Sequence, residues 1–77
     1  MKIDNSITLG KSLKKIRHDL GLTQSQLALS AGVGVRFIVD LEAGKPTIRF
    51  ESVMKVIEAL GAELHLSSWN HPNGQGE

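Results

Sequence analysis

Apolar residues recur at helical spacing in four stretches of the chain. In the first stretch, residues 8–20, apolar side chains step by four, three and four positions, as Leu9, Leu13, Ile16 and Leu20. Steps of this size place side chains on one face of an α-helix. The same spacing predicts helices over about 24–31, 34–43 and 50–60, and a glycine follows each of the four stretches. We therefore expect an all-α domain.

Two threonines mark predicted helix starts. Thr8 is the expected N-cap of the first helix, because a hydroxyl can accept a hydrogen bond from an amide of the first turn. Thr23 precedes the second helix, and Gln26 follows three residues later. This spacing is a capping box, in which each side chain bonds to the backbone N–H of the other residue. The second helix should therefore begin at Gln24.

The periodicity changes after the fourth helix. Ala62, Leu64 and Leu66 alternate with polar residues, which is typical of a short β-strand. One strand cannot satisfy its own backbone hydrogen bonds, and no other segment of the sequence predicts a strand. A second copy of the chain could supply the partner. We therefore predict a C-terminal β-strand over 62–67 that pairs across a homodimer, with Ala62, Leu64 and Leu66 as its dimerisation residues.

The predicted organisation is one small domain with short flanking segments. Residues 1–7 are an N-terminal segment, 8–61 the helical domain, 62–67 the dimerisation strand and 68–77 a polar, flexible tail. At 77 residues the chain has room for one domain, and the absence of cysteine excludes disulfides and thiolate metal sites. Trp69 in the tail either folds back on the dimer or anchors a partner protein, and we favour the partner.

Several function classes lack support in the sequence. No apolar run approaches the length of a membrane span, and the N-terminus lacks the apolar core of a signal peptide, so we expect a cytoplasmic protein. His18, His65 and His71 have no metal-ligand spacing. No catalytic triad order or phosphate-binding loop is present. We expect no enzymatic activity, no cofactor, no metal and no small-molecule substrate.

The net charge of +1 does not by itself indicate a nucleic-acid-binding protein, but the charges are unevenly distributed. Two groups of basic residues precede the main group of acids: Lys11, Lys14, Lys15 and Arg17, then Arg36, Lys45 and Arg49. Such a basic face suits modest phosphate binding. A solvated helix face is the alternative interpretation.

The second and third predicted helices have the spacing of a helix-turn-helix motif. Two short helices joined by a tight turn need a small residue at their crossing, a glycine in the turn and apolar residues facing the core. The sequence Gln24-x3-Ala28-x3-Gly32-x5-Ile38-x2-Leu41 satisfies each requirement. A helical hairpin that only packs is the structural alternative.

Residues 9–61 resemble the XRE family of lambda-repressor-like domains. The resemblance is carried by LGKSLKKIRHDLGLTQSQLA, by AGVGVRFIVDLEAGK and by the helix that ends in EALG. Within that family the chain is most similar to HipB-like antitoxins, which are dimeric repressors with a strand in place of a fifth helix. The resemblance implies a repressor that binds operator DNA, regulates its own operon and neutralises a HipA-like kinase. A stand-alone XRE regulator and a protein-interaction module without DNA binding remain alternatives.

The motif assigns roles to particular side chains. Gln24 opens the second helix, where unpaired N–H groups and the helix dipole favour a phosphate, and the resemblance implies that it grips the DNA backbone. The third helix would enter the major groove with Val35, Arg36, Val39 and Asp40 outward. Arg36 would contact guanine or phosphate, and the valines could meet a thymine methyl group. Asp40 would accept from cytosine or, as we favour, pair with a neighbouring cation.

The complete predicted DNA-binding set consists of residues at the start of the second helix, along the third helix and in the following loop: Gln24, Ser25, Gly34, Val35, Arg36, Val39, Asp40, Lys45, Thr47 and Arg49. The resemblance also implies an ion pair between Arg17 and Glu42 that holds the first helix against the third. Because few of these residues can read bases directly, dimer spacing and DNA shape should contribute to specificity.

Overall fold

The computed structural model describes residues 2–68 and contains four helices in that range. They are α1 (Ser6–Asp19), α2 (Gln24–Ala31), α3 (Val35–Glu42) and α4 (Phe50–Ala59). The four predicted helices are confirmed, with ends that move by one or two residues. No helix among the described residues is long and apolar enough to cross a membrane. Trp69, the predicted partner-binding residue, lies outside the described residues.

The start of α1 corrects the sequence prediction. Asn5, not Thr8, is the N-cap, and its side-chain oxygen accepts a hydrogen bond from the Thr8 N–H at 2.9 Å. The Thr8 hydroxyl in turn accepts from the Asn5 N–H at 3.1 Å. Thr8 is therefore the third residue of a capping box, a position that its hydroxyl suits as well as the cap itself. As a result, α1 begins at Ser6, within the segment predicted to precede the domain.

The predicted capping box of α2 is confirmed. The Thr23 hydroxyl accepts from the Gln26 N–H at 3.0 Å, and the Gln26 side-chain oxygen accepts from the Thr23 N–H at 2.8 Å. Gly32 ends the helix with φ of 73°, a left-handed conformation that other residues rarely adopt. Local sequence therefore fixes both ends of α2, and with them the angle at which the chain enters α3.

The core lies where the four helices meet. Leu27 of α2, Ile38 and Leu41 of α3 and Val56 of α4 are almost completely buried. Burying a side chain of this size contributes about 1.5–3 kcal/mol. Because α3 supplies two of the four, one of its faces is fixed in the core and the opposite face is left to solvent.

The close backbone contact between α1 and α3 at Gly10 was not predicted from the sequence. Gly10 is buried in α1, and a Cβ atom there would overlap the carbonyl oxygen of Leu41 and lie 3.0 Å from that of Glu42. Only glycine allows the two backbones to pack this closely. Gly10 falls between the apolar positions of the α1 pattern, so periodicity gave no signal for its role.

The predicted strand over 62–67 is not present in the single chain. Residues 62–68 form no helix or strand, and the final backbone hydrogen bond in the described range joins the Ala62 N–H to the Ile57 carbonyl at 3.0 Å. A β-strand is defined by hydrogen bonds to a neighbouring strand, and residues 2–68 contain no strand with which this segment could pair. Leu64 and Leu66 are both exposed. Homodimer pairing through this segment therefore stays a prediction.

Candidate nucleic-acid interface

The residues that define the helix-turn-helix spacing have the predicted environments. Ala28, Ile38 and Leu41 are buried, and Gly32 provides the left-handed turn between α2 and α3. The Val33 N–H donates to the Ala28 carbonyl at 3.0 Å, which closes the end of α2. The two helices are therefore packed as a unit, and α3 is held at a fixed angle to α2.

The outer face of α3 carries the residues predicted to face the groove. Val35 and Arg36 are exposed, and Val39 and Asp40 are half-buried. These four positions are spaced so that Val35 lies beside Val39 and Arg36 beside Asp40. The predicted division of α3 into a core face and a solvent face is confirmed.

Asp40 pairs with two cations on this face. One carboxylate oxygen lies 3.2 Å from Nε of Arg36, and the other lies 3.6 Å from Nζ of Lys45. The preferred interpretation of Asp40, pairing with a neighbouring cation, is confirmed. Arg36, Asp40 and Lys45, predicted separately, thus form one charged cluster along the outer face of α3 and in the loop that follows it.

Behind this surface lies the ion pair between Arg17 and Glu42. Nε and Nη2 of Arg17 donate to the two carboxylate oxygens of Glu42 at 2.6 Å and 2.9 Å. The two side chains are only 7% and 4% exposed. Nη1 of Arg17 also donates to the Leu22 carbonyl at 2.7 Å. The pair therefore joins α1, the α1–α2 loop and α3.

Gln24 is attached to the same carboxylate, a contact that the sequence did not predict. Its Nε2 donates to Oε1 of Glu42 at 3.1 Å. A carboxamide has two N–H donors and one acceptor oxygen, so one donor and the oxygen remain for another ligand. The contact fixes a half-buried side chain at the beginning of α2, where the N–H groups of Gln24 and Ser25 have no intrahelical acceptor.

The electrostatics of this network keep Glu42 ionised. Burial opposes the charge, but hydrogen bonds from Arg17 and Gln24, together with the charges of Arg17 and Lys14, lower the pKa of the Glu42 carboxyl below its usual value. The hydrogen bond to Glu42 raises the pKa of Arg17. Arg17 and ionised Glu42 thus provide a charged support for the Gln24 side chain.

The remaining predicted residues lie at the start of α3 and in the loop between α3 and α4. Gly34 is the exposed N-cap of α3, and a Cβ atom at this position would have no neighbour within 4 Å, so steric crowding does not require a glycine there. Lys45, Thr47 and Arg49 are exposed in the loop before α4. The hydroxyl of Ser6 donates to the Gly44 carbonyl at 2.9 Å and holds the start of this loop against α1.

Comparisons with known proteins agree with this geometry. Residues 13–66 match the family described as Helix-turn-helix. An uncharacterised HTH-type transcriptional regulator of Sinorhizobium fredii, y4mF, is 42% identical over 65 residues, covering 84% of this chain and 86% of the relative.

Two solved structures with HipB in their names are also similar. One is the HipA-HipB-O2-O3 complex, with a TM-score of 0.83, 25% identity and coverage of 90% of this chain and 97% of that chain. The other is the HipB-O4 20mer complex, with a TM-score of 0.82, the same identity and the same coverage. With the family match over most of the described residues and the packed α2–α3 unit, the chain belongs to the XRE-like helix-turn-helix family of transcriptional regulators.

Proposed function

We propose that this chain is a homodimeric repressor that binds operator DNA, represses its own operon and serves as the antitoxin of a HipA-like kinase. The observation that carries the DNA-binding part is the anchored Gln24 side chain at the start of α2, beside a recognition helix whose outer face is exposed. The similarity to a chain of a HipA-HipB complex supports the antitoxin part.

In this proposal α3 lies in the major groove and α2 crosses the DNA backbone. Gln24 and Ser25 bind one phosphate through the first amides of α2 and the remaining donor of the Gln24 side chain. Arg36 contacts guanine, and Val35 and Val39 contact thymine methyl groups.

The loop after α3 and the ends of that helix complete the proposed contacts. Lys45, Thr47 and Arg49 bind phosphates. Gly34, at the start of α3, approaches the DNA backbone. Because phosphate contacts release counterions, affinity should fall steeply as salt rises.

The proposed dimer uses the segment after α4. Leu64 and Leu66 would face a second copy, with Ala62 at the edge of the contact because it also packs against the core of its own chain. The backbone of residues 63–67 would form an intermolecular ladder. Leu64 borders an apolar groove of about 330 Å³ that is also lined by Ile3 and Phe50. Leu66 is fully exposed in the single chain, and contact with a second copy would remove this apolar side chain from water.

The experiment for DNA binding is a mobility-shift titration on the DNA upstream of the gene, using Gln24→Ala and Arg36→Ala. Each variant should weaken binding about tenfold or more, since each removes a charge-assisted or bidentate contact. Lys55→Ala is the matched control, because Lys55 is exposed on α4 among the acids Glu51 and Glu58. Unchanged binding by both test variants would contradict the assignment.

The antitoxin role and the dimer need separate measurements. Truncation after Gly61 should convert a dimer to a monomer in sedimentation equilibrium, and a truncated chain that stays a tight dimer would refute the strand. Co-purification from the native operon should recover a kinase-like protein, and Trp69→Ala should weaken that association. Recovery of the regulator with DNA but without a kinase would favour the alternative, a stand-alone transcriptional regulator like the one that y4mF is named as.

A further inference from the structure

Asp40 and its partner Arg36 differ in exposure, and the two carboxylate oxygens of Asp40 face different cations. Asp40 is 22% exposed, whereas the Arg36 side chain is 84% exposed and reaches into solvent. The contact with Arg36 is made at Nε, 3.2 Å from Oδ1, and Oδ2 faces Lys45. The partly buried carboxylate of Asp40 thus contacts the exposed Arg36 at Nε, the guanidinium nitrogen nearest the backbone.

The atom that Asp40 contacts determines what Arg36 can still bind. An arginine carries one N–H at Nε and two at each terminal nitrogen, and a bidentate contact with guanine O6 and N7 can use the terminal nitrogens. Because Asp40 pairs with Nε, the outer edge of the guanidinium stays available. Holding the side chain before binding also reduces the rotamer entropy that is lost on contact with a base.

The carboxylate has a second effect, which concerns phosphates. Arg36 and Lys45 would each attract the DNA backbone at any sequence, since that attraction does not depend on the bases. A negative charge between them lowers the local positive potential and repels phosphate oxygens. It therefore weakens binding to arbitrary DNA more than binding in which Arg36 forms hydrogen bonds to a base.

We propose that Asp40 is a specificity-determining residue that directs Arg36 toward a base and suppresses its use as a phosphate ligand. The proposal rests on the proposed DNA-binding function. Asp40 acts through Arg36 and Lys45 and is a positioning residue, whether or not it also touches DNA.

The experiment first selects the preferred duplex of the wild-type protein from a random-sequence library. Affinities for that duplex and for a duplex of unrelated sequence are then measured as a function of salt, for the wild type, Asp40→Asn and Asp40→Ala. Both variants should lower the ratio of the two affinities about tenfold, mainly by tighter binding to the unrelated duplex. On that duplex, the slope of log affinity against log salt concentration should become more negative by about 0.9 for each additional phosphate that the variant neutralises.

Asp19→Asn is the matched control. Asp19 forms the same kind of i, i+4 pair with Lys15, at 2.8 Å, on α1, and its replacement removes the same charge without touching α3. An unchanged affinity ratio in the Asp40 variants, or an equal change in Asp19→Asn, would overturn the proposal. If the wild-type protein shows no salt-sensitive binding to any duplex, the proposed function itself is wrong, and the role of Asp40 is wrong with it.

Discussion

Two ion pairs on α3 stand only two residues apart in sequence and differ in almost every physical respect. Glu42 faces α1 and forms a bidentate pair with Arg17, and both side chains are nearly inaccessible to water. Asp40 faces outward and pairs with Arg36, which is mostly solvated. A charge in the first pair cannot be compensated by water if its partner is lost, whereas a charge in the second can. The first pair therefore serves the fold, and the second is available for binding.

The largest effect should follow from breaking the buried pair. Glu42→Ala leaves the Arg17 charge buried without its partner and should lower the free energy of unfolding by about 3–5 kcal/mol. That loss is comparable to the whole stability of a small domain. Urea unfolding followed by circular dichroism measures it.

Two further variants separate burial from charge in this comparison. Asp19→Ala breaks the exposed pair with Lys15 and should change stability by less than about 0.5 kcal/mol. The double variant Arg17→Met with Glu42→Leu should lose less than Glu42→Ala, because no charge remains buried. A Glu42→Ala protein as stable as Asp19→Ala would refute the structural role of the buried pair.

The next largest effect on stability should come from disturbing the close packing of α1 on α3. Gly10→Ala places a methyl group against the Leu41 carbonyl and should destabilise the protein by about 1–3 kcal/mol through overpacking. Elsewhere in an exposed helix the same change would be stabilising, since alanine favours helix formation. Thermal unfolding of the variant decides the sign, and an increased melting temperature would show that the two backbones can separate at little cost.

Acid should weaken the buried pair only below the pH at which an ordinary glutamate is protonated. The pKa of Glu42 is lowered in the folded protein, so its contribution is fully present above the unfolded glutamate pKa of about 4.3 and is lost as pH falls through the folded value. Each unit of difference contributes about 1.4 kcal/mol. The stability difference between wild type and Glu42→Gln, followed by urea unfolding, should shrink as pH falls below about 4.3. Parallel pH profiles would contradict this.

The smallest effect on stability should come from the exposed pair. Arg36→Ala should change the free energy of unfolding by less than about 0.5 kcal/mol, because the Arg36 side chain is mostly solvated and lies N-terminal to the acid, the weaker order in a helix. The same variant should weaken DNA binding about tenfold or more. Measuring both quantities on one preparation tests whether the outer pair is separate from the fold. A large loss of stability would place Arg36 with the buried network.

The sequence predicted the features that depend on near neighbours along the chain. The start of α2 at Gln24 follows from Thr23 and Gln26, and the core positions of α3 follow from the spacing of Ile38 and Leu41. The N-cap of α1 was misplaced because asparagine and threonine both suit a cap, and the apolar pattern begins too late to distinguish them.

Features that depend on distant neighbours were harder to predict. The hydrogen bond from Gln24 to Glu42 joins residues that are 18 positions apart. The requirement for glycine at position 10 comes from the nearby backbone of α3. The predicted pairing of segment 62–67 involves a second chain, so the backbone groups of one copy do not supply its hydrogen-bond partners. By contrast, the pairing of Asp40 with a neighbouring cation was anticipated, because Arg36 and Lys45 both lie within five residues of it.

The division of α3 into two faces also bears on how such a regulator could acquire a new target. We expect that Val35, Arg36, Val39 and Asp40 can be exchanged as a set with little effect on Ile38, Leu41 or the Glu42 network, because two of the four are exposed and the other two only half-buried. Grafting the four from one such protein onto another should transfer base preference while the scaffold keeps its stability. Duplicated copies of one gene could diverge in the same way, so that several regulators of nearly identical architecture work in one cell without interfering at each other's sites.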